Sequence, residues 1–233
     1  MVTGQTAPPY QHRQDDDLWE PPSRRLARGA GELMVTLGVI ALLFAAYAVY
    51  GKAWRIEAEQ RLVDERLDRI WTAANAPSAP APGLPLARLH IPKLDRRWAV
   101  VEGVTQADLR KGPGHYPKTA RPGEIGNMAV AGHRIPSVFW DLDRLRTGDT
   151  IVAETRNAWF VYRVTGHREV LPSSVEVVAP TPNRPGVPPE RAMLTLTTCN
   201  PKLQNWQRLA VFAELARSQA KTDGRPPELE LKK

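Results

Sequence analysis

One cysteine, Cys199, stands in 233 residues, so no internal disulfide staples the fold and thiol pairing says nothing about redox compartment. The Cys/His spacings of a zinc module are missing, as are the aromatic signature of an RNA-binding sheet and any helix with basic residues along one stripe. Those absences exclude nucleic acid as the partner of a chain whose formal charge is +7. No carboxylate cluster resembles a calcium site. Asp141, Asp143 and Asp149 lie close together in the sequence, but they read as turn residues. The expectation is a protein with no metal and no cofactor, whose chemistry rests on its side chains.

One long stretch lacks charge altogether: LMVTLGVIALLFAAYAVY, Leu33 to Tyr50. As a helix it spans roughly 27 Å, close to the hydrocarbon thickness of a bilayer. Tyr47, Tyr50 and Trp54 gather at its far end as interfacial aromatics do. The expectation is an uncleaved, single-pass membrane anchor. A signal peptide is the rival, because Ala46-Tyr47-Ala48 resembles a cleavage site, but the apolar run passes beyond it and a long segment precedes it. Arg24, Arg25 and Arg28 before the span are nearly balanced by Lys52 and Arg55 after it, so charge leaves the orientation open.

Around the anchor the chain divides by texture. Residues 1–32 read as a polar, proline-punctuated disordered tail, with four basic against five acidic residues. Residues 51–75 carry Ile56, Val63, Leu67, Ile70 and Trp71 at helical spacing among interleaved charges, an amphipathic juxtamembrane helix. Residues 76–85, rich in Pro and Ala, form an extended linker. Residues 86–218 form a folded domain, and 219–233 a second disordered tail. The charge from Leu84 onward is +8, which suits an anionic cell envelope as well as plain solubility.

Within the domain, seven short β segments are separated by Gly-, Pro- and Asp-rich turns: 87–91, 98–103, 127–133, 149–155, 159–170, 192–199 and 208–215. Seven or eight such strands without a long intervening helix predict a closed or nearly closed β-barrel. Two long non-strand segments, Pro113–Gly126 and Pro172–Pro189, are of a length usually kept for binding or gating. His90 and His167 fall inside strands and are expected to face solvent, while His115 and His133 lie at loop edges. Cys199 ends one strand at the turn before Asn200-Pro201, His133 ends another after Gly132, and Arg208 opens the strand that follows Cys199. A thiolate, an acid–base imidazole and a permanently cationic fork are the parts of a nucleophilic acyl-transfer site. Taken singly, each has a plainer reading: a small buried apolar residue, a turn histidine, a solvated arginine.

The three together carry more. TLTTC followed nine residues later by Arg208, with AGHR upstream, resembles the sortase family of membrane-anchored cysteine transpeptidases. TLTTCNPKLQNWQRLAVFAEL and GHYPKTARPGEIGNMAVAGHR are most similar to class E sortases. The resemblance covers about Leu86 to Leu215. It implies a sortase-like eight-stranded β-barrel, with Cys199 as nucleophile, His133 as acid–base residue and Arg208 holding the substrate backbone and developing oxyanion. It implies substrate contacts from Tyr116, Thr197 and Thr198. Its implied substrate is a Leu-Ala/Pro-x-Thr-Gly sorting-signal peptide of secreted surface proteins, cleaved between Thr and Gly through a thioester and transferred to an amine of a cell-wall precursor. It also implies a cytoplasmic N-terminus and an extracellular catalytic domain. One departure is visible: class E members commonly carry His directly after the cysteine, where this chain has Asn200. Alternatives are a pilus-polymerising sortase, a hydrolytic cysteine peptidase and a non-enzymatic wall-binding module.

Overall fold

The computed structural model describes residues 22–73 and 80–230. Most of the expected N-terminal tail, residues 74–79 (the last two of the expected juxtamembrane helix and the first four of the linker) and the last three residues lie outside them. The chain divides at Ala48 into two units. In the first, helix α1 (Pro22–Thr72) begins, so residues 22–32, expected as tail, are helical. Leu26, Ala27, Arg28 and Ala30 are sound helix formers that carry the helix through Gly29 and Gly31, and Pro22 stands at its first position, where proline is tolerated. Ser23–Tyr47 is long and apolar enough to cross a membrane, and Leu33, Leu37, Ile40, Leu43 and Phe44 on it are exposed. That is the composition of a single-pass anchor.

In the second unit eight strands close a barrel in the order β1-β2-β3-β4-β7-β8-β6-β5, with β1 and β5 paired across the seam. They are β1 (Pro85–Ile91), β2 (Arg96–Glu102), β3 (Gly114–His115), β4 (Gly126–Ala131), β5 (Thr150–Glu154), β6 (Ala158–Val170), β7 (Ala192–Asn200) and β8 (Gln207–Ala220). Seven match the sequence-predicted strands. The eighth, β3, has two residues and sits in the segment read as loop. It pairs parallel to β2 and antiparallel to β4, and so closes the ring. Leu89, Ile91, Val100, Met128, Val130, Leu194, Leu196 and Val211, alternating along their strands, fill the interior with Phe139 and Tyr162. Residues of opposite parity on β4, β7 and β8 face outward.

The outer wall of β1, β2 and β5 is covered. Val63 and Leu67 of α1 pack on Ala99 and Val101. The Gln60 amide accepts from Ala99 N–H at 2.9 Å and donates to the carbonyls of Ala99 and Lys111, satisfying strand-edge groups as a peptide unit would. Beside it, Arg88 donates to Asp64 and Asp68 of α1 and to Glu154 of β5. His90 meets the same Glu154 at 2.7 Å, and Lys221 is paired with its other oxygen. His90 is therefore 7% exposed, not solvent-facing as expected: it is bonded to Glu154, and the Trp159 ring lies against it at 5.8 Å. The C-terminal segment is likewise ordered rather than a frayed tail. β8 runs to Ala220, Leu229 packs on Val152, Trp159 and Val161, and Glu228 pairs with Arg217.

Candidate active site

β4 and β7 lie side by side and parallel, with Ala131 opposite Thr197. The Gly132 amide carries the pairing one step further, onto the Thr197 carbonyl at 3.0 Å. The same register carries His133 to the level of Cys199. On the other flank of β7, Cys199 is directly opposite Arg208 of β8, a cross-strand Cα separation of about 4.5–5.5 Å. Three neighbouring strand ends thus bring together the cysteine, histidine and arginine singled out in the sequence. Cys199 is half-buried, as are His133 and Arg208.

Local packing explains how His133 is held. A Cβ on Gly132 would come within 2.5 Å of the Phe139 ring, so glycine lets that ring press against the backbone where the strand ends. The chain then turns back, with Phe139 N–H donating to the His133 carbonyl at 3.1 Å. Arg208 Nη1 donates to the carbonyls of Asn205 and Gln207. Its guanidinium is anchored through one nitrogen at the mouth of the β7–β8 turn.

The outward faces of β4 and β7 form the floor leading to Cys199. One wall is the segment 116–125. Tyr116 reaches over the floor, its hydroxyl 3.2 Å from Thr197 Oγ1. Behind it His115 is 2% exposed, its Nδ1 2.8 Å from Glu102 and its Nε2 3.0 Å from the Ala120 carbonyl. His115 is a buried tie for this wall rather than a loop-edge residue. Gly123, with φ of +82°, lies flat against Phe160, where a Cβ would approach to 2.0 Å, and its N–H donates to the Tyr162 hydroxyl. The opposite wall is the proline-rich segment 172–189. It is fixed by Asn127 Nδ2 donating to the Ala179 carbonyl at 3.0 Å, and by Val177 packing with Ala210 and Phe212. Between the walls, away from Cys199, a depression of about 360 Å³ is lined by Thr119, Ile125, Asn127 and Val178.

The two threonines before the cysteine part company. Thr197 shares the outward face with Cys199 and Tyr116. Thr198 has the opposite parity, is buried, and donates to the Gly132 carbonyl at 2.8 Å, so its hydroxyl buckles β7 to the residue before His133. A larger groove of about 600 Å³, lined in part by His167, Arg168 and Arg184, contains none of Cys199, His133 and Arg208; the chemistry lies elsewhere. His167 is exposed, as expected.

A half-buried thiol opposite a guanidinium, with an imidazole two residues past the Ala131–Thr197 pair, presents groups of the kinds acyl transfer uses. Comparisons agree. A family model for the sortase domain matches residues 89–216, and the chain belongs to the sortase family of cysteine transpeptidases. It is most like class E. It is 33% identical to sortase SrtE1 of Streptomyces coelicolor over 87% of its own length and 61% of that protein's, so it spans under two thirds of that relative. The structure of sortase E from Streptomyces avermitilis is 41% identical, with a TM-score of 0.58 over 64% of this chain and 99% of that one. Sortase E1 from Streptomyces coelicolor, with a tripeptide in its active site, is 36% identical, with a TM-score of 0.59 over 65% of this chain and 99% of that one.

Proposed function

We propose that this protein cleaves a Leu-Ala/Pro-x-Thr-Gly sorting signal between Thr and Gly and transfers the upstream protein to an amine of a cell-wall precursor. The observation supporting this reading is the strand register, which pairs Cys199 with Arg208 and, two residues before His133, pairs Ala131 with Thr197. Cys199 Sγ attacks the Thr carbonyl, and its proton passes to His133. Collapse of the tetrahedral adduct breaks the Thr–Gly bond as His133 protonates the departing glycine amine. The thioester then accepts the precursor amine, whose proton His133 takes before the thiolate leaves. Arg208 donates to the oxyanion and to the peptide backbone. Tyr116 and Thr197 face the bound peptide, and Thr198 serves by holding the strand ends together. With the anchor at the N-terminus, the reading places residues 1–32 in the cytoplasm and the barrel outside.

The test uses the full chain in detergent micelles with a sorting-signal peptide and an amine acceptor, products being read by mass. An amine-transfer product carrying the peptide up to Thr is expected. Hydrolysis alone, undiminished by amine, points to a peptidase, and turnover retained in Cys199→Ala rejects the cysteine mechanism. Protease added to intact cells should digest the barrel and spare an N-terminal tag.

A further inference from the structure

Each of the three candidate catalytic residues has an immediate chain neighbour, and these neighbours are bonded to one another. Arg134 follows His133, Asn200 follows Cys199, and Gln207 precedes Arg208. Arg134 Nη1 donates to Asn200 Oδ1 at 2.8 Å and to the Cys199 carbonyl at 3.3 Å. Asn200 Nδ2 donates to Gln207 Oε1 at 3.3 Å. The guanidinium is itself pinned: Nε donates to the Trp140 carbonyl at 3.3 Å and Nη2 pairs with Asp143 at 3.2 Å. Arg134 is 6% exposed and Asn200 7%. Asp143 also meets Lys202 of the β7–β8 turn at 3.3 Å, so the segment that holds Arg134 holds the far end of that turn as well.

From this we infer that Arg134, Asn200 and Gln207 form a positioning strut behind the active site, fixing the separations of His133, Cys199 and Arg208 across three strand ends. The inference rests on the transpeptidase reading and deepens it. Strand pairing brings the three strands together, but the ladder stops at this rim. β4 ends at Ala131, and the bonds of Gly132 to Thr197 and Thr198 stop one residue short of His133, so a further device beyond them is needed to fix the histidine against the cysteine. Arg134 supplies it. A planar fork with its donors committed to acceptors on both sides has little freedom to swing. Asn200 suits the middle of the strut because an amide accepts on one atom and donates from the other. None of the three need touch the substrate; they act through their neighbours.

The test compares the full chain with Asn200→Leu and Asn200→Asp. Leu keeps the shape and removes both bonds, whereas Asp keeps the acceptor and pairs its added charge with the Arg134 guanidinium, which neutralises it beside Cys199. Displacing reacting groups by about an ångström costs on the order of a hundredfold in rate. Asn200→Leu should therefore lose roughly ten- to a hundredfold in kcat, with KM for the peptide and Tm near wild type, and Asn200→Asp should recover most of the loss. The rate of alkylation of Cys199 by iodoacetamide at neutral pH gives a readout independent of any peptide. Loosening the thiol from His133 and Arg208 should slow alkylation of the Leu variant severalfold. Wild-type kcat in Asn200→Leu, a kcat loss matched by a fall in Tm, or no recovery in Asn200→Asp would overturn the strut. If the wild-type chain transfers no peptide, the proposed substrate fails, while the alkylation rates still decide the strut: identical rates reject it. Should Asn200→Leu not fold, Gln207→Leu, on a half-buried side chain, carries the same comparison with a smaller expected loss.

Discussion

Two buried arginines, Arg88 and Arg134, are equally shielded, each 6% exposed, and they keep different company. Arg88 faces three carboxylates, Asp64, Asp68 and Glu154. Arg134 faces one, Asp143, and otherwise neutral acceptors: two carbonyls and the Asn200 amide. Charge against charge clasps a helix to a barrel. Beside a thiol that must ionise, a ring of carboxylates would be harmful, because nearby negative charge disfavours the thiolate. A cation held by neutral acceptors fixes geometry without that penalty. One site spends its charge on holding; the other keeps the neighbourhood of Cys199 free of added negative charge.

The contrast is broken most severely at the rim. Cys199→Ala should abolish acyl transfer, and His133→Ala should lower kcat by about 10²–10⁴-fold, the usual worth of a positioned acid–base group. Both should melt as wild type does. Peptide turnover and Tm measured on the same preparations check this. A variant that lost activity only by unfolding would erase the distinction between a side that reacts and a side that holds.

The converse experiment is at Glu154. Burial by itself raises its pKa. Hydrogen bonds from His90 and Lys221, with the charges of Lys221 and Arg88, outweigh that and hold the carboxyl down at about 2, against an ordinary 4.5. A depressed folded-state pKa means that ionisation favours the folded chain. The contribution is full above about pH 4.5 and fades as pH falls toward 2. Glu154→Ala should cost about 3 kcal/mol at neutral pH, with the activity of the folded fraction retained. Its stability should also fall less steeply than wild type over that acid window. Urea unfolding at a series of pH values reads both, and parallel acid limbs in the two proteins would show that Glu154 is not what holds this wall.

This contrast was only half legible in the sequence. The barrel could be read because seven short β segments are separated by Gly-, Pro- and Asp-rich turns with no long helix between them. β3 escaped because Gly114 and His115 are too few to show a period, and their pairing is set by β2 and β4. His90 was misjudged because alternation gives a side chain's face, not what covers that face. Glu154 and Trp159, each far from it in sequence, lie against it. Cys199, His133 and Arg208 were legible through the spacing of quoted motifs. Their struts were not, although Arg134 lies in AGHR and Asn200 was the visible departure in the cysteine motif. A hydrogen bond between residues 66 positions apart leaves no local pattern.

The smallest expected effect is at the groove, where the rim meets its substrate. Tyr116 and Thr197 share one hydrogen bond at 3.2 Å, and Thr197 Oγ1 donates in turn to the Val130 carbonyl at 3.5 Å. The two O–H groups are therefore committed, and what the pair offers a peptide backbone is spare lone pairs, as acceptors. A Leu-Ala signal offers an N–H at its second position and a Leu-Pro signal does not. A groove that pairs that donor favours alanine, by about 1–3 kcal/mol if the proline complex leaves the acceptor buried and unpaired. Tyr116→Phe removes one hydroxyl but leaves Thr197 able to accept, so the Ala-over-Pro preference in kcat/KM should narrow by only about three- to tenfold. Adding Thr197→Val, which keeps the shape and removes the second hydroxyl, should erase what remains. Paired peptides differing only at that position, assayed with wild type and both variants, give the answer. A preference unchanged in the double variant would move the recognition of that residue to the proline-rich wall, and equal rates in the wild type would reject the discrimination itself.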